Sequence, residues 1–534
     1  MIKIKNRDNL YFQGMDPWEN ALSRKKLALL QKSWAEIFRK HILPKMPISH
    51  VAKYFDKIMG RPTKELGSAC GVCVLQQIFD LTDDETRDQL AFNQQWHYAL
   101  DVLDQDDQVL SLKTLWNMRH ILTTDRLAKK VFNDATDRLK EVYKVDTSLQ
   151  RLDSVHIHSN MARLGRVRLL ARVCTRFLNN LKRQDPSLYE SVSSSIKSRY
   201  ERDEDSTYFG NTKPSASKKR LADIAQDMYE LTRQFKGQTT VSSMYTYKEL
   251  QRVFSEHCSI ENENVVVKPA KEIPSDSLQN PSDPDATYDG YKGQGYQVQI
   301  METYSNETPE DKDSTSLQLI TYVDVEPAHC HDSNALEPAL EDTKKRNLLP
   351  DELEADTLYG SQANKKKAKE YNVDLIAPIP GKKSKNNLVD FEFDRETNVV
   401  KRCPQDHSPE KIKHNKKGTI TAIWPEDACR NCPVFSSCAV KKSKTGYRLL
   451  YNHKEVEASF RRSYEQSEAF KEKYRFRSGI EATNSRYIHM TGARRIRYRG
   501  LKRIDYAARL KALGINMFRA AKFMVMKAEN PCYA

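Results

Sequence analysis

The chain has 534 residues, enough for roughly three or four domains at ~100–200 residues each, so large cores can be buried. Charged residues make up 30% of it and the formal net charge is +15. This balance favours a polyanionic partner such as nucleic acid over a neutral or acidic small molecule, and the many acidic residues exclude a simple basic tail. No apolar run reaches the ~18 to 20 residues that span a bilayer, and MIKIKNRDNLYFQG lacks the apolar stretch of a secretory signal, so a cytoplasmic protein without membrane contact is expected.

In chain order, residues 1–45 read as an N-terminal arm and 46–147 as a helical domain, with the helical spacing already visible from about residue 18 in ALSRKKLALLQKSWAEIF and again in DRLAKKVFNDATDRLKEVY. Between these, a turn at Gly60 to Pro62 precedes a buried helix and a second helix capped by Thr82 or Asp83. The Cys70 and Cys73 of CGVC read as small core residues of the first of these helices, because no partner pair lies nearby to complete a metal site. NLYFQG at 9–14 resembles a protease-recognition tag, and no reading depends on it. Residues 148–164 contain a strand, SLQRLDSVHIHSN, whose alternation sets Asp153 opposite a Leu152, Val155 and Ile157 face. Helical pattern resumes in 165–287, as an insertion closed by a linker rich in Pro, Asp, Ser and Asn. Strands and helices alternate through 288–392. Residues 393–454 carry a cysteine cluster, and 455–534 are helical and basic. The fold class expected is α/β, a mixed sheet with a helical N-terminal domain, a helical insertion and a small cysteine-bearing insertion.

Three acids stand out. Phosphoryl transfer by a pair of magnesium ions needs hard oxygen ligands that converge from neighbouring strands and a packed helix. Asp153 lies on the first strand and Asp356 at the C-terminal end of the strand in ELEADTLYGS, where α/β sheets place ligand sites. Glu481, in YRFRSGIEATNSR, is set on a helix among arginines. Structural readings stand beside each of these: pairing of Asp153 with an arginine, capping of the turn Thr357 to Ser361 by Asp356, and a charge-balanced surface position for Glu481. Asp285, Asp289 and Asp324 are alternative acids, Asp324 on a strand in YVDVEP.

RLDSVHIHSNMARLGR, ELEADTLYGSQANKKKAKE and YRFRSGIEATNSRY together resemble the three acidic motifs of DDE transposases from bacterial insertion sequences, whose catalytic domain is ribonuclease H-like. In the last motif Tyr474, Arg477 and Glu481 keep that family's tyrosine, arginine and glutamate spacing, and GRPTKEL and DPDATYDGYKGQGYQVQ are similar to the same group, so the resemblance covers most of residues 45 to 525. The chain departs from the pattern at Ile488, where a lysine often stands, with Arg486 as its substitute, and at Leu358, where some members carry glycine. The resemblance implies that Asp153, Asp356 and Glu481 hold two Mg2+ (or Mn2+) ions. It further implies that transposon terminal inverted repeats and target DNA are the partners, that 46–147 is a DNA-binding or dimerisation domain, that a homodimer works on the ends, and that the setting is bacterial and nucleoid-associated. A related nuclease that cuts without joining, and a DNA-binding protein that has kept the fold but not the chemistry, are the rival readings.

The stretch ARRIRYRGLKR interleaves Arg494, Arg495, Arg497, Arg499, Lys502 and Arg503 with Tyr498, residue types that bind phosphates and stack on unpaired bases; a solvated helix face is the bland alternative. Cys403, Cys429, Cys432 and Cys438, with His407 near the first, have a C-x25-C-x2-C-x5-C spacing that suits a structural zinc ion, which would staple an insertion too polar to fold alone. Small buried cysteines are the alternative. His156 and His158 share one strand face, away from Asp153, and read as packing or DNA-proximal residues.

Overall fold

The computed structural model describes residues 2–5, 16–201, 216–306, 316–381, 388–394, 397–416, 418–444 and 446–529; NLYFQG at 9–14 lies outside them. A mixed sheet forms the centre. Its strands are β1 (Leu149–His158), β4 (Thr287–Asp289), β5 (Gly293–Thr303), β6 (Ile320–Pro327), β7 (Glu352–Ala355) and β8 (Asp374–Ile376). The β2 and β3 strands, Cys258–Glu261 and Asn264–Val267, form a separate hairpin. The sheet runs β4, β5, β1, β7, β8, with β6 also paired to β5. The pairings of β5 with β1, β4 and β6 are antiparallel, and β7 lies parallel to both β1 and β8.

Successive side chains of a strand point to opposite faces, so register decides which residues meet. Where the alternation predicts Asp153 opposite a joint Leu152, Val155 and Ile157 face, the pleat divides that set. Leu152 packs with Met301, Tyr322 and Leu353 against helices Leu336–Lys345 and Gln362–Glu370. Val155 and Ile157, on the side of Asp153, join Val298, Ile300 and Val323 in a larger core with the N-terminal helices and helix Leu501–Glu529. Both sheet faces are therefore covered by helices.

The N-terminal helices centre on Leu66–Ile78, whose residues are all buried, Cys70 and Cys73 among them. Burial pushes the Cys73 thiol up to about 12, which keeps it protonated and suits the core reading. The next helix, Asp83–Phe92, starts at a reciprocal capping box of Thr82 and Glu85. Trp18, Ile37, Phe38, Ile42 and Leu43 are buried in the same core, so residues from 16 onward pack with the helices that follow and do not stand apart as an arm.

The insertion builds its own core from helices Arg166–Gln184, Ser217–Gln234 and Tyr245–His257, with Phe177, Leu181, Met228, Leu231, Tyr247 and Leu250 inside. Its two ends are clasped: Arg166 Nε donates to His257 Nδ1 at 3.1 Å and its Nη2 to the His257 carbonyl at 3.0 Å. The β2–β3 hairpin falls within what reads as linker, because Asn262 and Glu263 supply the turn with positive φ (48° and 65°) without the usual glycine signal.

The cysteine-bearing segment also differs from expectation. Strands Lys411–His414, Ile420–Trp424, Gly446–Tyr451 and Lys441–Ser443 form a four-stranded sheet, and Phe391, Ile420, Trp424, Tyr447, Leu449 and Tyr451 give it an apolar core of its own. Alternation in short strands such as GYRLLY hides this core in a polar composition.

Helix Leu501–Glu529 ties the layers together through Asn516, which is fully buried. Its amide accepts from the Ile320 N–H at 2.7 Å and donates to the Ile320 carbonyl at 2.8 Å and to Thr136 Oγ1 at 3.2 Å, so the outer edge of β6 is paired by a side chain. Replacing Asn516 by alanine leaves two buried backbone groups unpaired and is expected to cost about 3 kcal/mol. Hydrogen exchange checks this: the Ile320 amide should exchange much faster in the variant, with β1 amides less affected.

Candidate active site

The parallel register of β1 and β7 pairs Arg151 with Glu354 and Leu152 with Ala355. One residue further on stand Asp153 and Asp356, so the two aspartates leave neighbouring strands side by side. Burial, with Asp356 and Asp332 adding to it against the opposing pull of Arg477, pushes the Asp153 carboxyl up to about 6. Asp356 is raised in the same direction, first by burial, and also by Asp332. Its carboxylate accepts from the Leu358 N–H at 2.8 Å, so the turn-capping role read from the sequence is present as well.

Glu481 lies in the first turn of helix Gly479–Met490, with its side chain 66% exposed. Arg477 links it to Asp153: one terminal nitrogen is 3.0 Å from Glu481 Oε1 and the other 3.3 Å from Asp153 Oδ2. Asn484, one turn along the same helix, donates to Asp153 Oδ2 at 3.1 Å, and its own Oδ1 is buried without a hydrogen-bond partner. Arg477 thus bridges Glu481 and Asp153, and its charge also reaches Asp356 on the neighbouring strand.

A buried network fixes the helix. Glu302 on β5 is fully buried and is bonded by Arg151 at 2.8 Å, by Arg519 of the C-terminal helix at 2.8 Å and by Thr483 Oγ1 at 2.7 Å. Arg151 also donates to the Phe476 carbonyl at 2.7 Å. Gly479 opens the glutamate helix where that guanidinium lies, and a Cβ there would overlap Arg151. Sequence reading missed Arg151 and Glu302, and also Asp332, which is buried and accepts from Ser154 Oγ at 3.0 Å and from Gln299 Nε2 at 3.3 Å. The advance signal for Glu302 was a lone acid near the end of an otherwise uncharged strand, QVQIMETY.

The alternative acids have structural partners. Asp285 accepts from the Leu501 N–H at 2.8 Å, Asp289 holds the turn at Tyr291 and Lys292, and Asp324 pairs with Arg509 at 2.6 Å. His156 and His158 contact each other edge to face at 4.9 Å, on the face away from Asp153.

Of the basic stretch, Arg494, Arg495, Arg499, Lys502 and Arg503 are exposed, as is Arg486. Arg497 is exposed and lies 3.6 Å from Asp80. Tyr498 differs, since its hydroxyl accepts from Gln77 at 2.9 Å and its ring packs against Tyr506 and Arg119. Tyr474 stacks on Phe470 at 5.4 Å, and Ile488 packs against the main core. In the cysteine lobe, burial pushes the Cys429 thiol up to about 11, with Cys403, Cys432 and Cys438 all near enough to add to it. Tight turns hold them: the Cys432 N–H meets the Cys429 carbonyl at 3.4 Å, and the Cys403 N–H meets the His407 carbonyl at 3.0 Å.

Among the described residues, no three His, Cys, Asp or Glu side chains stand at metal-holding spacing. The acidic site still fits a hard cation in its donor chemistry. Burial, with neighbouring carboxylates adding to it, raises two of its carboxyls, and the orphaned Asn484 Oδ1 adds a neutral oxygen beside them.

Two family models match the chain. One, described as a transposase DDE domain, covers residues 402–521, taking in the cysteine lobe and the Glu481 helix. The other, a transposase domain (DUF772), covers residues 28–120 of the N-terminal helices. The two matches indicate a DDE-type transposase of the insertion-sequence kind, a class that acts on DNA. A search of curated proteins finds no match. No helix among the described residues is long and apolar enough to cross a membrane.

The Glu302 network generates a prediction. Glu302→Gln keeps the shape but leaves Arg151 and Arg519 without their buried counter-charge, at a cost of about 3 kcal/mol. Amides of residues 480 to 484 should then exchange faster and the thermal midpoint should fall; unchanged exchange there would refute the role given to Glu302.

Proposed function

We propose that the chain is a ribonuclease H-like DDE transposase that binds transposon terminal inverted repeats, hydrolyses phosphodiester bonds at those ends and joins the freed 3'-hydroxyls to target DNA. The observation that carries this reading is that Arg477 bridges Asp153 and Glu481 while Asp356 leaves the neighbouring parallel strand beside Asp153, although the three acids lie far apart in the sequence. The sheet order, with three antiparallel strands followed by parallel β7 and β8, supports the ribonuclease H-like assignment.

Asp153, Asp356 and Glu481 would hold two Mg2+ or Mn2+ ions. Bound there, the pair would supply Lewis-acid stabilisation of charge on the scissile phosphate and its attacking and leaving oxygens. The chain's own residues do the positioning. Asn484 and Arg477 orient the Asp153 carboxylate, and the Leu358 N–H orients Asp356. Arg486, Arg494, Arg495, Arg497, Arg499, Lys502 and Arg503 offer charge to the DNA backbone, with Tyr474, Arg477 and Tyr498 beside them. Two ends have to be brought together, so a homodimer is the working form on DNA.

Asp356→Asn tests the catalytic assignment, since asparagine can still cap the Leu358 N–H and preserve the turn. Cleavage of end-bearing DNA should fall by more than about 100-fold while end binding stays within about twofold; unimpaired cleavage removes Asp356 from the mechanism.

The four cysteines would hold a structural zinc ion, for which the clustering of Cys403, Cys432 and Cys438 about Cys429 is the support. Freshly prepared, reduced protein should contain one zinc per chain by elemental analysis, lost in Cys432→Ser. Metal-free wild type discards the site.

A further inference from the structure

A second concave feature lies between the N-terminal helix Leu112–Thr124 and the start of helix Leu501–Glu529. It is a cavity of about 370 Å³ whose lining includes Trp116, Arg119, His120, Tyr498, Lys502 and Arg503, within the ~300–1,000 Å³ range of pockets that take small organic groups. Trp116 is 48% exposed. Its ring is nevertheless braced: His120, one turn further along the helix, lies flat against it with centroids 5.1 Å apart and planes 4° apart. The Lys113 ammonium sits 4.6 Å from the ring centre.

The floor of the cavity is fixed by polar contacts. Arg119 is held by Asp83, with Nη2 3.0 Å from Oδ2, and Tyr498 is tied to Gln77. The rim is not, for Lys502 and Arg503 are exposed and make no ion pair among the described residues. A braced, solvent-facing indole and imidazole beside unpaired cations combine the two elements that bind single-stranded nucleic acid, an aromatic platform for a base and positive charge for its phosphate. Both cations continue the basic stretch that leaves the glutamate helix, and Asn160 at the end of β1 donates to the Arg497 carbonyl at 2.9 Å, so the stretch is anchored to the sheet that carries Asp153.

We propose that this cavity takes one unpaired base of a DNA strand, stacked on Trp116 and His120, with the adjoining phosphate on Lys502 and Arg503. The base extends the Trp116–His120 stack from the His120 side, and the Lys113 ammonium, which does not line the cavity, stays over the indole. The proposal rests on the reading of the chain as a DNA-acting protein and adds to it a site for a base outside the duplex.

Binding measured in EDTA, where no cleavage proceeds, tests it with a duplex carrying a single-nucleotide bulge of 2-aminopurine, the same duplex fully paired, and free dAMP. Wild type should bind the bulged duplex about tenfold more tightly than the paired one and quench the 2-aminopurine. Trp116→Ala should abolish both the preference and the quench, Trp116→Phe should retain most of each, and binding of the paired duplex should stay within about twofold in both variants. A preference that survives Trp116→Ala, or dAMP that displaces the bulged duplex at comparable concentration, overturns the proposal. Equal binding of both duplexes by wild type overturns this inference alone, whereas binding of neither sinks the DNA-acting reading with it.

Discussion

The Glu302 carboxylate is sealed from solvent in the middle of the sheet, and cationic donors from β1 and the C-terminal helix converge on it together with the hydroxyl of Thr483. A charge placed there is costly unless it is fully compensated, so these segments are bound to one another by the penalty for separating them. Arg151 carries the constraint outward. By bonding the Phe476 carbonyl it fixes the chain just before Arg477 and Glu481, and its guanidinium fills the space that Gly479 leaves open. Glu481 itself is exposed and could point in many directions; its helix cannot.

Charge is divided unevenly over the molecule. Asp153 and Asp356 have their proton affinity raised, chiefly by burial, and Arg477 and Asn484 compensate Asp153 locally, whereas the exposed cations of residues 494 to 503 are mostly left facing solvent. The net charge of +15 therefore understates the contrast between the two surfaces. A polyanion guided by such a field meets positive charge first and carboxylates afterwards.

Much of the architecture was legible because it is written in local periodicity. The alternation in RLDSVHIH and the strand-ending acid in ELEAD identify β1 and β7, and the all-apolar LGSACGVCVLQQI identifies a buried helix. What escaped depends on partners far along the chain. Asp332 looks like part of a helix start and Glu302 like a stray acid, and neither shows its role until β1, β5 and the C-terminal helix are assembled. The face of Asp153 was misassigned because three apolar neighbours were read as one side of a pleat that separates Leu152 from Val155 and Ile157. The cysteine lobe was judged too polar because short strands expose every second side chain, concealing a core built around Trp424. The bonds of Asp285, Asp289 and Asp324 to Leu501, the Tyr291 turn and Arg509 are likewise invisible in the sequence.

The clasp between Arg166 and His257 bears on how the protein is made. Strand β1 leaves the ribosome long before β5 and β7, the neighbours it needs on either side, and until they arrive both of its hydrogen-bonding edges are open. An intervening segment that collapses on its own core and fastens Arg166 to His257 shortens the effective tether between β1 and β5, so the entropy lost in closing the sheet is that of a shorter connection. Co-translational assembly of the centre is thereby made to wait on a unit that can complete itself first.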